Sequence, residues 1–432
     1  MLNSLAQELN DILAGTTAGD LLSELGKRIY FPKGIIAQGA EAKKLGKVAN
    51  ATIGTALIGG KPAMLPAIQK YAPGLSSSEF VAYSPTAGNP ELRAQWKDKI
   101  FEKNPNLKGK NISLPVVVPG LTAGISYMAD LFVDETKPLL TADPCWDNYA
   151  LIIETRRNSE LHRFPIFDER GFDIGVFEKA VAKEAESGFV RVILNFPHNP
   201  SGYSPTTTEA QQIIKTIQEE AKRGTKILVL CDDAYFGLNY EENIHPQSLF
   251  ADLADLHENV LAVKIDGPTK EDFVWGFRCG FLTFGGKGMT DAHYDALVKK
   301  VMGLIRSSVS CSSTPPQSIL LYTFKDPDIE AQKKEFRDIL ERRYNLVKKY
   351  IETHNSSALL PLHFNSGYFM SFLTLGIDAE ALRLKILNEK SIGTVSIDSS
   401  TLRVAFSSLE DDKIATVFDA IYECADEMKR EC

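Results

Sequence analysis

The chain has 432 residues, 44% hydrophobic and 24% charged, which allows two domains and matches a folded soluble protein rather than a disordered or fibrous one. Its net charge of −8, with no dense basic cluster, speaks against a nucleic-acid partner. The six cysteines, Cys145, Cys231, Cys279, Cys311, Cys424 and Cys432, form no C-x-x-C pair, which argues for a reducing, cytoplasmic setting and against a zinc site.

From the N-terminus, Leu2 to Leu13 has helix-like apolar spacing, and its Asn3, Gln7, Glu8 and Asp11 are out of place in a secretory signal. No later apolar run is long enough to cross a bilayer. The Gly-, Lys- and Ala-rich stretch Gly34–Lys47 reads as an extended arm. From about Asn50, short apolar runs alternate with longer amphipathic segments such as Thr208–Arg223. The runs are Pro115–Val118, Leu139–Leu140, Val190–Asn195, Ile227–Cys231, Val260–Ile265 and Gly280–Phe284. Strands buried on both faces have this character, so the middle of the chain is expected to be a mostly parallel sheet between helices. Ile329–His354 is charged and helix-periodic, a long surface helix linking domains. Beyond it, Gly367–Leu373 and Leu402–Phe406 alternate like strands, and Ala379–Leu387 and Asp411–Met428 repeat like helices, which makes a small α+β domain. The fold class is therefore α/β with a second, smaller domain. Its expected divisions are an N-terminal helix and arm over 1–50 packing with the small domain, a large domain over 51–322 and a small domain over 323–432.

Open parallel sheets bind ligands beyond the carboxyl ends of their strands, so polar residues directly after the apolar runs are the candidates. Four places qualify: Pro119-Gly120-Leu121-Thr122, His198-Asn199-Pro200-Ser201-Gly202, Asp232-Asp233-Ala234-Tyr235 and Asp266-Gly267-Pro268-Thr269-Lys270. Singly, each has an ordinary reading as a turn, a helix cap or a solvated lysine. Some patterns lead nowhere. Gly54 to Pro62 resembles a nucleotide phosphate loop, but its lysine is displaced by one residue and a proline stands for Ser/Thr. Gly285-Gly286-Lys287-Gly288 is a turn. His162, His198 and His354 lack metal-ligand spacing, so they read as surface or capping residues and no metal site is expected.

Taken together, the order Asn199-Pro200-Ser201-Gly202, Asp232-x-x-Tyr235, Lys270 and, eight residues later, Arg278 resembles the class I aminotransferases of pyridoxal-phosphate (PLP) fold type I. Tyr83-x-x-x-x-Gly88 with Glu91-Leu92-Arg93, Gly120-Leu121-Thr122, Pro144-x-Trp146 and Leu402-Arg403-Val404 extend the likeness, so the matched positions run from Ile53 to Arg403. The resemblance implies a large domain with a seven-stranded, mostly parallel sheet and a smaller α+β domain. It implies PLP on Lys270 as a Schiff base and a ping-pong transfer of an amino group from an L-amino acid to a 2-oxo acid. A lyase, decarboxylase or acyl-transferring synthase shares the cofactor residues, and a PLP-fold regulatory module without turnover is a third class; the Arg403 match favours transamination.

The chemistry gives each position a reason. A lysine amine condenses with the cofactor aldehyde and, once displaced, can move the α-proton; Lys270 is the candidate, with Lys264, inside an apolar run, as competitor. A carboxylate keeps the ring nitrogen protonated. Asp232 fits by motif, but Asp233 is adjacent, and strand neighbours point to opposite faces, so only one can serve. The resemblance implies that Tyr235 and Asn199 reach the phenolic oxygen, and that Leu121, Thr122, Thr269 and Arg278 hold the phosphate. Leu121 stands where relatives often have glycine, and Gly267 where many have serine. Trp146 would stack on the ring, Arg403 would grip the substrate α-carboxylate and Gly54 would let the chain pass close to it.

The resemblance further implies a homodimer with shared sites, Tyr83 reaching the neighbouring subunit's cofactor phosphate. Members acting on acidic substrates place an arginine shortly before a Pro-Pro pair; here Pro315-Pro316 is present, Val309 stands at that position and Arg306 is the nearest upstream arginine. If the loop Ser307–Thr314 bulges, Arg306 reaches a distal carboxylate and aspartate or glutamate is the expected substrate. If it does not, Val309 and small hydroxyl residues line the pocket and an apolar or aromatic amino acid is expected. The second reading is favoured because three residues on an extended segment displace a side chain by about 10 Å.

Overall fold

The middle of the chain contributes seven strands: β1 (Val116–Val118), β2 (Leu139–Asp143), β3 (Leu161–Pro165), β4 (Phe189–Asn195), β5 (Lys226–Asp232), β6 (Val260–Asp266) and β7 (Gly280–Gly286). The structure, a computed structural model, describes residues 2–14, 22–30, 34–52 and 54–431. The strands form one sheet in the order β1-β7-β6-β5-β4-β2-β3, in which only β7 runs antiparallel to its neighbours. Both faces are covered by helices, which is why β1, β5, β6 and β7 read as nearly unbroken apolar runs. The edge strand β3 escapes that reading, because His162, Arg163 and Pro165 leave only Leu161 and Phe164 buried. Helix Thr207–Lys222 connects β4 to β5 and starts with a capping box in which Thr206 and Glu209 satisfy each other's backbone N–H.

The C-terminal part forms a four-stranded antiparallel sheet, β8 (Leu359–Pro361), β9 (Phe369–Thr374), β10 (Val395–Ser396) and β11 (Thr401–Ala405), in the order β8-β9-β11-β10. Helices Ala379–Lys390 and Ile414–Glu431 flank it. Helix Ile329–Thr353 leads into this part and buries Lys333, Leu340, Arg343, Tyr344 and Val347.

The stretch Gly34–Lys47 is not an extended arm; it contains the helix Ile35–Leu45. Two of its glycines mark the helix ends, Gly34 as the N-cap and Gly46 with its N–H on the Ala42 carbonyl at 2.7 Å, and Gly39 lies within the helix. A tertiary partner fixes the helix. The Gln38 side chain donates to the Ser396 carbonyl at 3.0 Å and accepts from the Ser396 N–H at 2.9 Å, and Ala49–Asn50 then pair in parallel with Ile392–Gly393. The phosphate-loop near miss is a small hairpin, Leu57–Ile58 against Lys61–Pro62, turning on Gly59 and Gly60 with φ of +58° and +72°. His198 is not a surface residue. It is buried against Ser201 and the Pro144 carbonyl, and burial pushes its pKa down to about 3.

Among the described residues no helix is long and apolar enough to cross a membrane, and no group of acidic, histidine or cysteine side chains is arranged to hold a metal.

Candidate active site

Strands β4, β5 and β6 end side by side at Asn195, Asp232 and Asp266, and β7, reversed, starts beside them. The loops leaving these ends, closed over by Ile35 and by Phe369 and Arg403 of the small sheet, surround a cavity of about 230 Å³. Eleven of the residues singled out in the sequence line it: Lys270, Asp232, Tyr235, Asn199, Leu121, Thr122, Trp146, Thr269, Arg278, Arg403 and Gly54. Tyr83 does not; it lies on the surface, 92% exposed.

One wall is an anion site. Helix Leu121–Phe132 begins at the cavity, so the first-turn N–H groups of Leu121 and Thr122 lack intrahelical partners and the positive end of its dipole faces inward. Gly120 holds a φ of +89°, and a Cβ there would come within 2.4 Å of the Arg278 guanidinium, so only glycine lets the arginine lie against this turn. The Thr269 hydroxyl, buried beside them, has no hydrogen-bond partner.

The floor carries the titratable pair. Asp232 is fully buried; its Oδ2 accepts a hydrogen bond from the Tyr149 hydroxyl at 2.5 Å, while its Oδ1 has no partner. Burial raises its pKa to about 6, against the opposing pull of Tyr149 and of Lys270. Burial lowers Lys270 to about 8, with Asp232 working the other way and Arg278 reinforcing the drop. The Lys270 amine lies 4.7 Å from the centre of the Tyr235 ring, and its carbonyl accepts from the Tyr368 hydroxyl at 3.0 Å.

On the opposite side Arg403 is buried with its guanidinium 4.2 Å over the Phe369 ring, donating to Asn199 Oδ1 at 2.9 Å and to the Thr52 carbonyl at 3.1 Å. Its Nε is unpaired, and burial lowers its pKa to about 10, so it remains a cation with spare donors facing the cavity. A Cβ on Gly54 would meet Phe369 at 3.2 Å and the Tyr235 hydroxyl at 3.6 Å, so the chain passes close here for want of a side chain.

The two competitors separate cleanly. Asp233 and Lys264 lie on the far face of the sheet, ion-paired with each other, with Lys264 also 3.5 Å from Asp266 and Asp233 bonded to Ser248 at 2.6 Å. Neither reaches the cavity. Arg306 also differs from expectation. It sits in the last turn of helix Asp291–Ser308, exposed and bonded to Ser310, rather than on an extended segment. Three residues there amount to less than one helical turn, about 4.5 Å of rise instead of 10 Å.

Contributors that went unread in the sequence include Tyr149, Asn195, Ile35, Ile125 and Phe369. Asn195 caps the site from within, donating to the Asp232 carbonyl at 2.8 Å and accepting from the Asn199 N–H at 2.8 Å. It ends an apolar run directly before a turn, which was the available signal. Tyr149, three residues after Trp146, carried none.

The residues fit PLP. An unpaired buried carboxylate oxygen suits a protonated ring nitrogen, an amine of lowered pKa suits an aldehyde, and unpaired N–H and hydroxyl donors with an arginine suit a phosphate.

The sequence profile of aminotransferase class I and II matches residues 50–421. An aspartate aminotransferase of Sulfurisphaera tokodaii is 21% identical over 350 residues, covering 77% of this chain and 80% of the relative. Among solved structures, an aminotransferase from Anaerococcus prevotii superposes with a TM-score of 0.83 at 21% identity, over 94% of this chain and 99% of its own. The Pyrococcus horikoshii kynurenine aminotransferase, solved with pyridoxamine phosphate (PMP), gives 0.79 at 15% identity, over 96% and 99%.

Proposed function

The chain belongs to the class I and II aminotransferases, enzymes that work with PLP, and we propose that it takes the amino group from an apolar or aromatic L-amino acid at the cavity beneath Arg403. When bound, the cofactor supplies the aldehyde that accepts the amino group and a ring that accepts the electrons released at Cα. Lys270 holds it covalently and, once freed, moves the proton at Cα, a task suited to an amine whose pKa lies near 8. Asp232 Oδ1 would hold a proton at the ring nitrogen, and Trp146 would offer its face to the ring. Tyr235 and Asn199 donate to the phenolic oxygen, and Leu121, Thr122, Thr269 and Arg278 hold the phosphate. Arg403 binds the substrate α-carboxylate through two parallel hydrogen bonds and Gly54 leaves room for it.

The observation that carries the substrate reading is the count of cations lining the cavity. Among the described residues there are three, Lys270, Arg278 and Arg403, and each has a task, while Ile35 and Phe369 add apolar surface to the lining. Among the described lining residues no cation is left for a distal carboxylate. Because Arg306 is displaced by less than a turn, aspartate is the substrate to test against. Half-reactions with phenylalanine, leucine, aspartate and glutamate, run on wild type and Arg306→Ala, decide. The apolar reading expects unchanged preferences, and a loss of several kcal/mol in transition-state binding confined to aspartate would overturn it.

We further propose a cytoplasmic homodimer with shared sites, the exposed Tyr83 reaching the partner's cofactor phosphate. Exposed Phe80 and Val81 beside it support an interface there. The three-part division at residues 50 and 322 is proposed with it, supported by the Gln38–Ser396 and Ala49–Ile392 links between N-terminal segment and small sheet.

A further inference from the structure

Tyr149 is fully buried and its hydroxyl has one partner, Oδ2 of Asp232 at 2.5 Å. Burial and the adjacent carboxylate raise the phenol's pKa far above its ordinary value, so the phenol keeps its proton and is the donor. The tyrosine sits one helical turn after Trp146: its N–H bonds the Trp146 carbonyl at 3.0 Å, and the two rings meet edge to face at 5.5 Å. A single turn of chain thus places one aromatic on the cavity wall and a second against the carboxylate beneath it.

We infer that Tyr149 is a positioning residue of this reaction: by occupying Oδ2 it turns Oδ1 alone toward the cofactor's ring nitrogen and keeps the proton between them on that nitrogen. The inference rests on the reading of Asp232 as the nitrogen's partner. A buried carboxylate with no donor on its second oxygen is a stronger base than one that accepts a phenol, and in a dry site the shared proton moves toward the stronger base. The other groups acting on Asp232 do not replace this donor. Lys270 attracts its charge but is committed to the cofactor, Asp233 behind it repels, and the Ala234 N–H is a single neutral donor. Cys145 and Tyr235, the remaining titratable neighbours of Tyr149, keep their protons under burial.

The test uses holoenzyme reconstituted with PLP labelled with ¹⁵N in the ring, read by the nitrogen chemical shift, with kcat and KM measured alongside. Tyr149→Phe keeps the ring and its packing. The inference expects the nitrogen signal to move toward the unprotonated position and kcat to fall by about tenfold or more, with KM within about twofold, the scale of losing a hydrogen bond to a charged group. A tyrosine fluorinated on the ring at position 149, a stronger donor of nearly the same shape, should keep the signal at or beyond the wild-type protonated position, and keeps the test open if the phenylalanine variant does not fold. An unmoved nitrogen signal in Tyr149→Phe overturns the inference, whatever the activity. So does a fluorotyrosine protein whose signal shifts toward the unprotonated position. Asp232→Asn separates the two levels: if it leaves the nitrogen protonated, the reading of Asp232 fails as well; if it deprotonates the nitrogen while Tyr149→Phe does not, only the role of Tyr149 fails.

Discussion

Lys270 would be almost wholly protonated near neutral pH as a free side chain, and burial in the pocket changes that by bringing its pKa from 10.5 to about 8. The neutral amine is the nucleophile, and its fraction grows as pH rises through the folded value. Covalent uptake of PLP by the cofactor-free protein should therefore accelerate with pH and level off above about 8; a rate that keeps climbing toward 10.5 would show the lysine unperturbed. Arg403 is the other residue whose environment was not readable from its motif. Two neutral partners hydrogen-bond it and Asp147 acts on it only through space, so Arg403→Ala should lower kcat/KM for every amino donor by about 100-fold or more, the scale of truncating one side of a buried charged contact. Loss confined to one donor would assign it to side-chain recognition instead. Most of these residues were legible because motif order and strand-end logic agree. Asp232 and Asp233 show the limit: alternation says that one faces the cavity, the motif points to Asp232, and the structure places Asp232 at the cavity beside Tyr149 and Asp233 against Lys264.

At the scale of elements, the turn carrying Lys270 is held from below. Lys333, on helix Ile329–Thr353, is 2.9 Å from Asp272 and 3.3 Å from Glu271, and Glu271 also pairs with Lys103 at 2.5 Å. Lys333→Ala would strand Asp272 in the interior, and about 3–5 kcal/mol of stability should go with it, measured by denaturant melts; a change below about 1 kcal/mol would mean that water or Lys103 takes over. The long helix itself was plain in the sequence from its periodicity, but no pattern announces that one of its lysines turns inward. The helix Ile35–Leu45 and strand β3 escaped for related reasons. Glycine content suggested a loop in the first, whose partner Ser396 lies far away in sequence, and an edge position beside β2 left too few apolar residues in the second.

For the whole molecule, the cavity sits between the large sheet and the small sheet, so whatever moves one against the other opens or closes it. Sharing between subunits has its own test. Chains carrying Lys270→Ala and chains carrying Tyr83→Phe, each impaired alone, should recover part of the wild-type activity when refolded together, because one site of the mixed dimer then has an intact Lys270 and an intact Tyr83; no recovery would count against shared sites. The central claim, amino transfer at Lys270, is tested most directly by a single turnover with phenylalanine in the absence of any acceptor. The account predicts one equivalent of 2-oxo acid per wild-type chain, cofactor recovered as PMP, no carbon dioxide, and no oxo acid from Lys270→Ala on the same timescale. Release of carbon dioxide, or oxo acid formed equally fast by Lys270→Ala, would contradict it.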